Sequence, residues 1–487
     1  MKVSALAVAA LVALGAAGPP VRASQTSALA ADLDRIFDQP AVARALLGIR
    51  IESLTTGAVL YDRNSQKLVV PASNMKLLTM AVAAERLGWD YRFETKLEAA
   101  GPIVNGALQG DLIVTGSGDP SIVSQDFGPA AVFVEWGQAL RAAGITRIEG
   151  RLIGDDNAFD DEGLGAGWAW DYLAAGYAAP SGALSYNENV AVVRIRPGSA
   201  AGEPARVELS PPGHLLEVTN EVRTGASGSA SSIDFARFPG SSHLTIRGSV
   251  PVDANVVIRA TTIDNPTRFF VEGLRLALAE GGITVRGGAW DIDDLETAPP
   301  AGASRRLIAT RQSLPLSYLA GYFIKSSQNF YGETFLKAIG RAASGVGSAA
   351  AGRQAVRETL GTWGIDRDAF VMNDGSGLSR YDYVTADAIV TILKHLWKDE
   401  KMRGPFVELL PVAGHDGTLD TRMRGTILDG RVAAKTGTIS NVRSLSGYLE
   451  TKSGERIVFS IIANHFTVPS AEIDAIAEKA LAKVAER

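Results

Sequence analysis

The 487-residue sequence contains no cysteine. That excludes disulfides, a thiol nucleophile and lipid attachment through an N-terminal cysteine, and a chain this long can bury a large enough core to need no cross-links. Histidine is scarce: His214, His243, His395, His415 and His465 are the full set. No two have the spacing of a helical metal-ligand pair, and no Gly-x-Ser-x-Gly elbow accompanies them. The expectation is chemistry without a cofactor or metal, although a Ser-His-Asp triad assembled from distant residues stays open at this point. Long apolar runs are also missing, with one exception. Val3 to Ala17 follows Lys2 and precedes Val21-Arg22-Ala23, a small-residue cleavage site. Residues 1–23 therefore read as a secretory signal, too short to span a bilayer. The mature chain is expected outside the cytoplasm, periplasmic or secreted, with no transmembrane segment. The full sequence carries a net charge of -5, which gives no basis for nucleic-acid binding.

Three short strings stand out in what is present. They are Ser73-Asn74-Met75-Lys76, Ser327-Gln328-Asn329 and Lys435-Thr436-Gly437-Thr438. Each is weak alone, but together, in this order, they are specific. A serine hydroxyl is a poor nucleophile until a base takes its proton. Asn74 to Leu87 reads as a buried helix begun after Pro71, and residues three apart share a helical face, so Lys76 reaches Ser73. Ser73 then lies at a helix N-terminus, where free N–H groups favour negative charge. Ser327 is placed to relay a proton between Lys76 and a leaving amine, and Asn329 to bond a substrate amide. Lys435, Thr436 and Thr438 on a strand suit a substrate carboxylate, and Gly437 permits close approach. The backbone N–H groups of Ser73 and Thr438 form a candidate oxyanion hole. Lys76 is expected to have its pKa lowered by burial and by the Lys435 charge, while Lys435 stays charged.

The periodicity predicts a helix over 31–44, strands over 46–54 and 58–62, strands over 431–438, 443–450 and 456–465, and an amphipathic helix over 471–485. Two N-terminal and three C-terminal strands make a five-stranded antiparallel sheet flanked by helices, an α/β (α+β) class. Residues 24–89 and 296–487 are assigned to this discontinuous catalytic domain. Between them, 90–295 reads as a β-rich insert of two smaller domains. Two helix–strand units, Pro129–Gly154 and Asn265–Asp293, each turn through Gly-Ile-Thr. The Ser/Gly-rich stretch 223–232 reads as a loop and Pro299-Pro300-Ala301-Gly302 as an exit linker.

The motif set and the size of the insert resemble the class C low-molecular-mass penicillin-binding proteins, which are D-alanyl-D-alanine carboxypeptidases and endopeptidases. Further strings share that likeness: Gly154-Asp155-Asp156, Gly167-Trp168-Ala169-Trp170-Asp171, Asn373-Asp374-Gly375-Ser376-Gly377 and His415-Asp416-Gly417-Thr418. The resemblance implies a serine β-lactamase/DD-peptidase-like transpeptidase fold. It implies catalysis by Ser73, Lys76 and Ser327, with substrate binding by Asn329, Lys435, Thr436 and Thr438. Peptidoglycan stem peptides are then the substrate, and β-lactams covalent inhibitors. It further implies that an insert carboxylate, Asp155, meets an amine on the substrate's third residue. Asp155 as the cap of a turn is the competing reading. A β-lactamase or esterase on the same fold, or a non-catalytic cell-wall-binding or assembly protein, are the alternatives.

Overall fold

The computed structural model describes residues 28–125, 128–297, 299 and 305–487. The expected signal segment and residues 300–302 of the expected linker lie outside the described residues.

One sheet joins the two ends of the chain. Its order is Val59–Arg63, Leu46–Ser53, Arg456–Asn464, Val442–Glu450, Val432–Ile439, antiparallel throughout. Successive side chains of a strand point to opposite faces. Along the central strand Ile457, Phe459, Ile461 and Ala463 enter one core, while Val458 and Ile462 enter another. The first core is covered by Ala28–Phe37 and Ser470–Ala485, whose Ile473, Ile476, Ala480, Leu481 and Val484 are all buried. The second is covered by helices that include Met75–Leu87, Leu316–Lys325, Asn329–Ser344 and Ala386–Lys398. A sheet buried on both faces explains why these strands carry unbroken apolar runs. The first helix is shorter than the periodicity predicts. It stops at Phe37, and Pro40–Val42 forms a separate turn, because proline disfavours helical backbone in the residue before it.

The insert is built on a second five-stranded sheet, ordered Ala289–Asp291, Leu152–Asp155, Asp111–Gly116, Glu94–Ala100, Arg306–Gln312. The two helix–strand units lie side by side. Helices Ala131–Ala142 and Pro266–Glu280 each lead into a strand pair, and the pairs run parallel, Arg147 beside Thr284 and Leu152 beside Ala289. Strand Arg306–Gln312 pairs with Glu94–Ala100, so this part of the segment assigned to the catalytic domain belongs to the insert's sheet. A four-stranded sheet, ordered Thr284–Val285, Arg147–Ile148, Ala107–Leu108, Ile103–Val104, and two three-stranded sheets complete the insert, and a single apolar core runs from Leu97 to Ala289 through all of them. The expected loop over 223–232 is smaller. Strands Glu217–Gly225 and Ser232–Ala236 absorb both its ends, and the remaining turn is tied to Asp253 by Ser227 and Gly228.

Candidate active site

The segment before the Met75–Leu87 helix is fixed to the central sheet. Asn464 accepts from Val70 N at 2.7 Å and donates to Val70 O at 3.0 Å, and Ser444 Oγ donates to Pro71 O at 2.7 Å. Ser73 follows in a single 3-10 turn, Ala72–Asn74, that feeds the helix. Asn74 Nδ2 donates to Lys435 O at 3.0 Å, locking this turn to the Val432–Ile439 strand. Gly437 makes the close packing possible, since a Cβ there would stand 2.1 Å from Ser444 Oγ and 3.0 Å from Ser73 N. Ala72 and Ser327 both have left-handed backbone, φ 48° and 60°, a strained conformation for residues with a Cβ and one that clusters at functional sites.

Lys76 is fully buried. Its Nζ lies 2.9 Å from Ser73 Oγ and donates to Asn329 Oδ1 at 2.6 Å and Ser376 O at 2.7 Å. No carboxylate touches it among the described residues. Burial therefore dominates and lowers its pKa to about 7, against the opposing pull of Asp374, Glu333 and Asp382. Lys435 is also fully buried and donates to Ser327 Oγ at 2.8 Å and Thr436 O at 2.9 Å. Burial, and after it the Lys76 charge, depresses Lys435 well below the ordinary lysine range.

These contacts correct two sequence expectations. Ser327 is bonded to Lys435, not to Lys76, and its own backbone is left-handed. Lys435 is also not a simple fixed charge, since burial with no carboxylate partner among the described residues disfavours its ammonium form.

Ser73, Ser327, Asn329, Thr436 and Thr438 line one cavity of about 370 Å³, together with Tyr172, Tyr177, Leu378 and Thr418. Thr436 Oγ1 is 2.7 Å from Thr418 Oγ1, and Thr438 Oγ1 accepts from Arg443. Asn329 Nδ2 donates to Tyr177 O at 2.8 Å, so the insert closes onto the second motif. At the strand's end Arg380 donates to Ser440 O at 3.1 Å.

Behind Lys76 stands a group of acids that sequence reasoning did not single out. Asp374 accepts from Ser376 N, Gly377 N and Ser379 N, and from Trp168 Nε1 of the insert at 2.8 Å. Glu333 accepts from Gly375 N, and burial pushes it up to about 8. Gly377, with φ 84°, lies against Ala72, where a Cβ would stand 1.9 Å from its carbonyl oxygen. The signal for this group was the 373–377 string itself, dense in turn residues.

Asp155 is not brought to the cleft. It ends the strand Leu152–Asp155, accepts from Asn157 Nδ2 at 3.1 Å and pairs with Arg305 at 3.8 Å. Its carboxylate is spent within the insert, which corrects the substrate-binding role expected for it. One set of carboxylates, Asp156, Asp291 and Asp293, approaches within 4.8 Å. It borders a different cavity that shares no residue with the Ser73 cleft.

The three motifs meet at one cleft, with Ser73 beside Lys76, Ser327 beside Lys435 and the Lys-Thr-Gly-Thr strand along its wall. The model of the D-Ala-D-Ala carboxypeptidase 3 (S13) family matches residues 29–485. The chain belongs to that family. It is 36% identical over 464 residues to a D-alanyl-D-alanine carboxypeptidase of Actinomadura sp. (strain R39), covering 92% of this chain and 83% of the relative. It is 26% identical over 431 residues to the D-alanyl-D-alanine carboxypeptidase DacB of Haemophilus influenzae, covering 88% and 87%. The solved structure of penicillin binding protein 4 from Haemophilus influenzae has the same fold, with a TM-score of 0.82 at 23% identity over 94% of this chain and 99% of that one. D-Ala-D-Ala carboxypeptidase activity is the function of the family, and no helix among the described residues is long and apolar enough to cross a membrane.

Proposed function

We propose that the protein is a serine-type D-Ala-D-Ala carboxypeptidase, exported to the periplasm or secreted, that hydrolyses peptidoglycan stem peptides through an acyl-enzyme on Ser73. We extend the reading to DD-endopeptidase cleavage of cross-links and to covalent capture of β-lactams. The observation that carries it is the pairing of two buried lysines with two serines on opposite sides of one cleft.

A neutral Lys76 accepts the Ser73 proton as Oγ attacks the carbonyl of the penultimate D-Ala. The oxyanion forms beside the N–H groups of Ser73 and Thr438, next to a helix N-terminus. The terminal carboxylate is held by Lys435, Thr436 and Thr438. Its negative charge returns Lys435 to the ammonium form, since an opposite charge nearby favours the charged state. Ser327 then gives its proton to the departing amine and is reprotonated by Lys435 as the C–N bond breaks. Lys76 passes the proton it took from Ser73 to the solvent that replaces the leaving group and, neutral again, deprotonates the water that hydrolyses the Ser73 ester, returning that proton to Ser73 Oγ. A β-lactam is opened by the same attack, but its amine remains tethered and leaves an ester on Ser73.

The test is incubation with a fluorescent penicillin and with a stem pentapeptide. A long-lived label mapping to the Ser73 peptide, with release of D-alanine, is the expected result. Rapid penicillin turnover without D-alanine release would make the protein a β-lactamase instead. Label on another serine would refute the mechanism.

A further inference from the structure

The Ser73 cleft is not the largest space beside the second motif. A chamber of about 650 Å³ also opens at Ser327, Asn329 and Tyr177, the residues it shares with the cleft. Its far walls come from the insert: Glu188, Asp234 and Phe235, and Arg259. We propose that this chamber is the subsite for the leaving half of a cross-linked peptide, the acceptor stem whose amine departs past Ser327. The inference rests on the reading that the protein is a DD-peptidase.

The direction follows from the roles of the two walls. The leaving nitrogen must reach Ser327 to be protonated, and the carboxylate next to it must reach Lys435 and Thr436. With those two substituents fixed, the side chain on the leaving residue's α-carbon faces the side that remains open. In D-alanine that side chain is a methyl group. A chamber in the size range of whole-ligand pockets is not needed to accommodate a methyl. When the leaving residue belongs to a second stem peptide, its side chain continues into a peptide that fills such a space. The reaction is the same hydrolysis. The amide C–N bond breaks, Ser73 forms the ester, the nitrogen takes the Ser327 proton, and water releases the donor stem.

The chamber wall is held by an uncommon device. Asn187, Glu188 and Asn189 have φ of 52°, 54° and 55°, three successive left-handed residues without a glycine. The turn is held by Asn189, which donates to Pro180 O at 2.8 Å and accepts from Tyr186 N at 3.1 Å, and by Asn187, which donates to Val190 O at 2.8 Å. It delivers the Glu188 carboxylate onto Gln328 Nε2, the middle residue of the motif. The insert thus fixes the motif loop that separates the two spaces. On the opposite wall, exposed Asp234 and Arg259 offer one charge of each sign, which suits a peptide carrying both a free amine and a carboxylate.

The experiment compares hydrolysis of a purified cross-linked muropeptide dimer with that of a monomeric pentapeptide, using the mature protein and its D234A, R259A and D234A/R259A variants. The expected result is a fall of roughly tenfold in kcat/KM on the dimer for the double variant, carried by KM, matching the loss of a charged hydrogen bond. Hydrolysis of the monomer and acylation by penicillin remain at the parent level. Equal falls on both substrates, or no fall on either, would overturn the subsite. So would a parent enzyme that hydrolyses the monomer and leaves the dimer intact. A parent that releases no D-alanine and takes no penicillin label would instead remove the DD-peptidase reading on which the subsite depends.

Discussion

If Lys76 is the base, the rate of Ser73 acylation must follow the fraction of Lys76 that is neutral. With its pKa lowered to about 7, roughly a tenth of the molecules are competent at pH 6 and roughly nine tenths at pH 8. The second-order rate constant for acylation by a fluorescent penicillin, measured by stopped flow, should therefore rise about tenfold between those values, with unit slope on the acid side. The sign is fixed by the role, since a lysine acting through its ammonium form would give the opposite trend. A flat profile, or a fall with rising pH, would refute Lys76 as the base. Lys76→Arg should abolish acylation, because arginine keeps its proton throughout this range.

The acids behind Lys76 sharpen the test. A negative charge stabilises the ammonium, so removing one lowers the Lys76 pKa and moves the profile toward acid. Burial raises Glu333 well above the ordinary carboxylate range, which weakens its pull on Lys76. Both Asp374 oxygens accept from N–H donors, and of the acids around Lys76 Asp374 exerts the largest opposing pull. Asp374→Asn should shift the profile to lower pH, and by more than Glu333→Gln does. Equal shifts, or a larger one for Glu333→Gln, would refute this order of the two pulls.

Three further outcomes follow from contacts already described. Gly437→Ala places a methyl 2.1 Å from Ser444 Oγ and 2.7 Å from Pro71 O, so it should cost about 1–3 kcal/mol by overpacking and abolish labelling of Ser73; a variant that labels at the parent rate would show that the strand can retreat freely. Trp168→Phe keeps the ring but loses the donor to Asp374, and calorimetric or denaturant unfolding should register about 1.5–3 kcal/mol, the range for a hydrogen bond to a charged group. Asp155→Ala should change hydrolysis equally for stem peptides with and without a free amine on the third residue, since its carboxylate is bound to Asn157 and Arg305; selective loss on the amine-bearing peptide would restore a role in substrate binding.

What could be read from the sequence had local causes. The pairing of Ser73 with Lys76 depends on three-residue spacing at a helix start, which holds whatever surrounds the helix. The central sheet declared itself through apolar runs such as Arg456–Asn464, and the final helix through its spacing from Ile473 to Val484. The repeated Gly-Ile-Thr turns marked two units whose strands pair with each other. What escaped had non-local causes. Ser327 stands on left-handed backbone and meets Lys435, 108 positions away, and serine carries no mark of either. Asp155 was drawn toward the substrate by resemblance, yet Arg305, which it meets, lies 150 positions away in sequence.

The insert is the part of the chain whose purpose was least legible, and its contacts limit what that purpose can be. An appendage tethered for spacing or for binding elsewhere would touch the catalytic domain through its surface. Here Tyr177 O takes a hydrogen bond from Asn329, the residue that also holds Lys76. Trp168 reaches the buried Asp374, whose loop supplies the Ser376 carbonyl to the same lysine. Glu188 holds Gln328 between Ser327 and Asn329. Three separate segments of the insert therefore converge on groups within two hydrogen bonds of the lysine–serine pairs or next to them in the chain. Hydrogen bonds to buried or charged partners are the ones whose loss costs most. An insert that merely spaced the enzyme from its substrate would gain nothing by engaging those groups, whereas one that completes the catalytic cleft and its outlet must engage them.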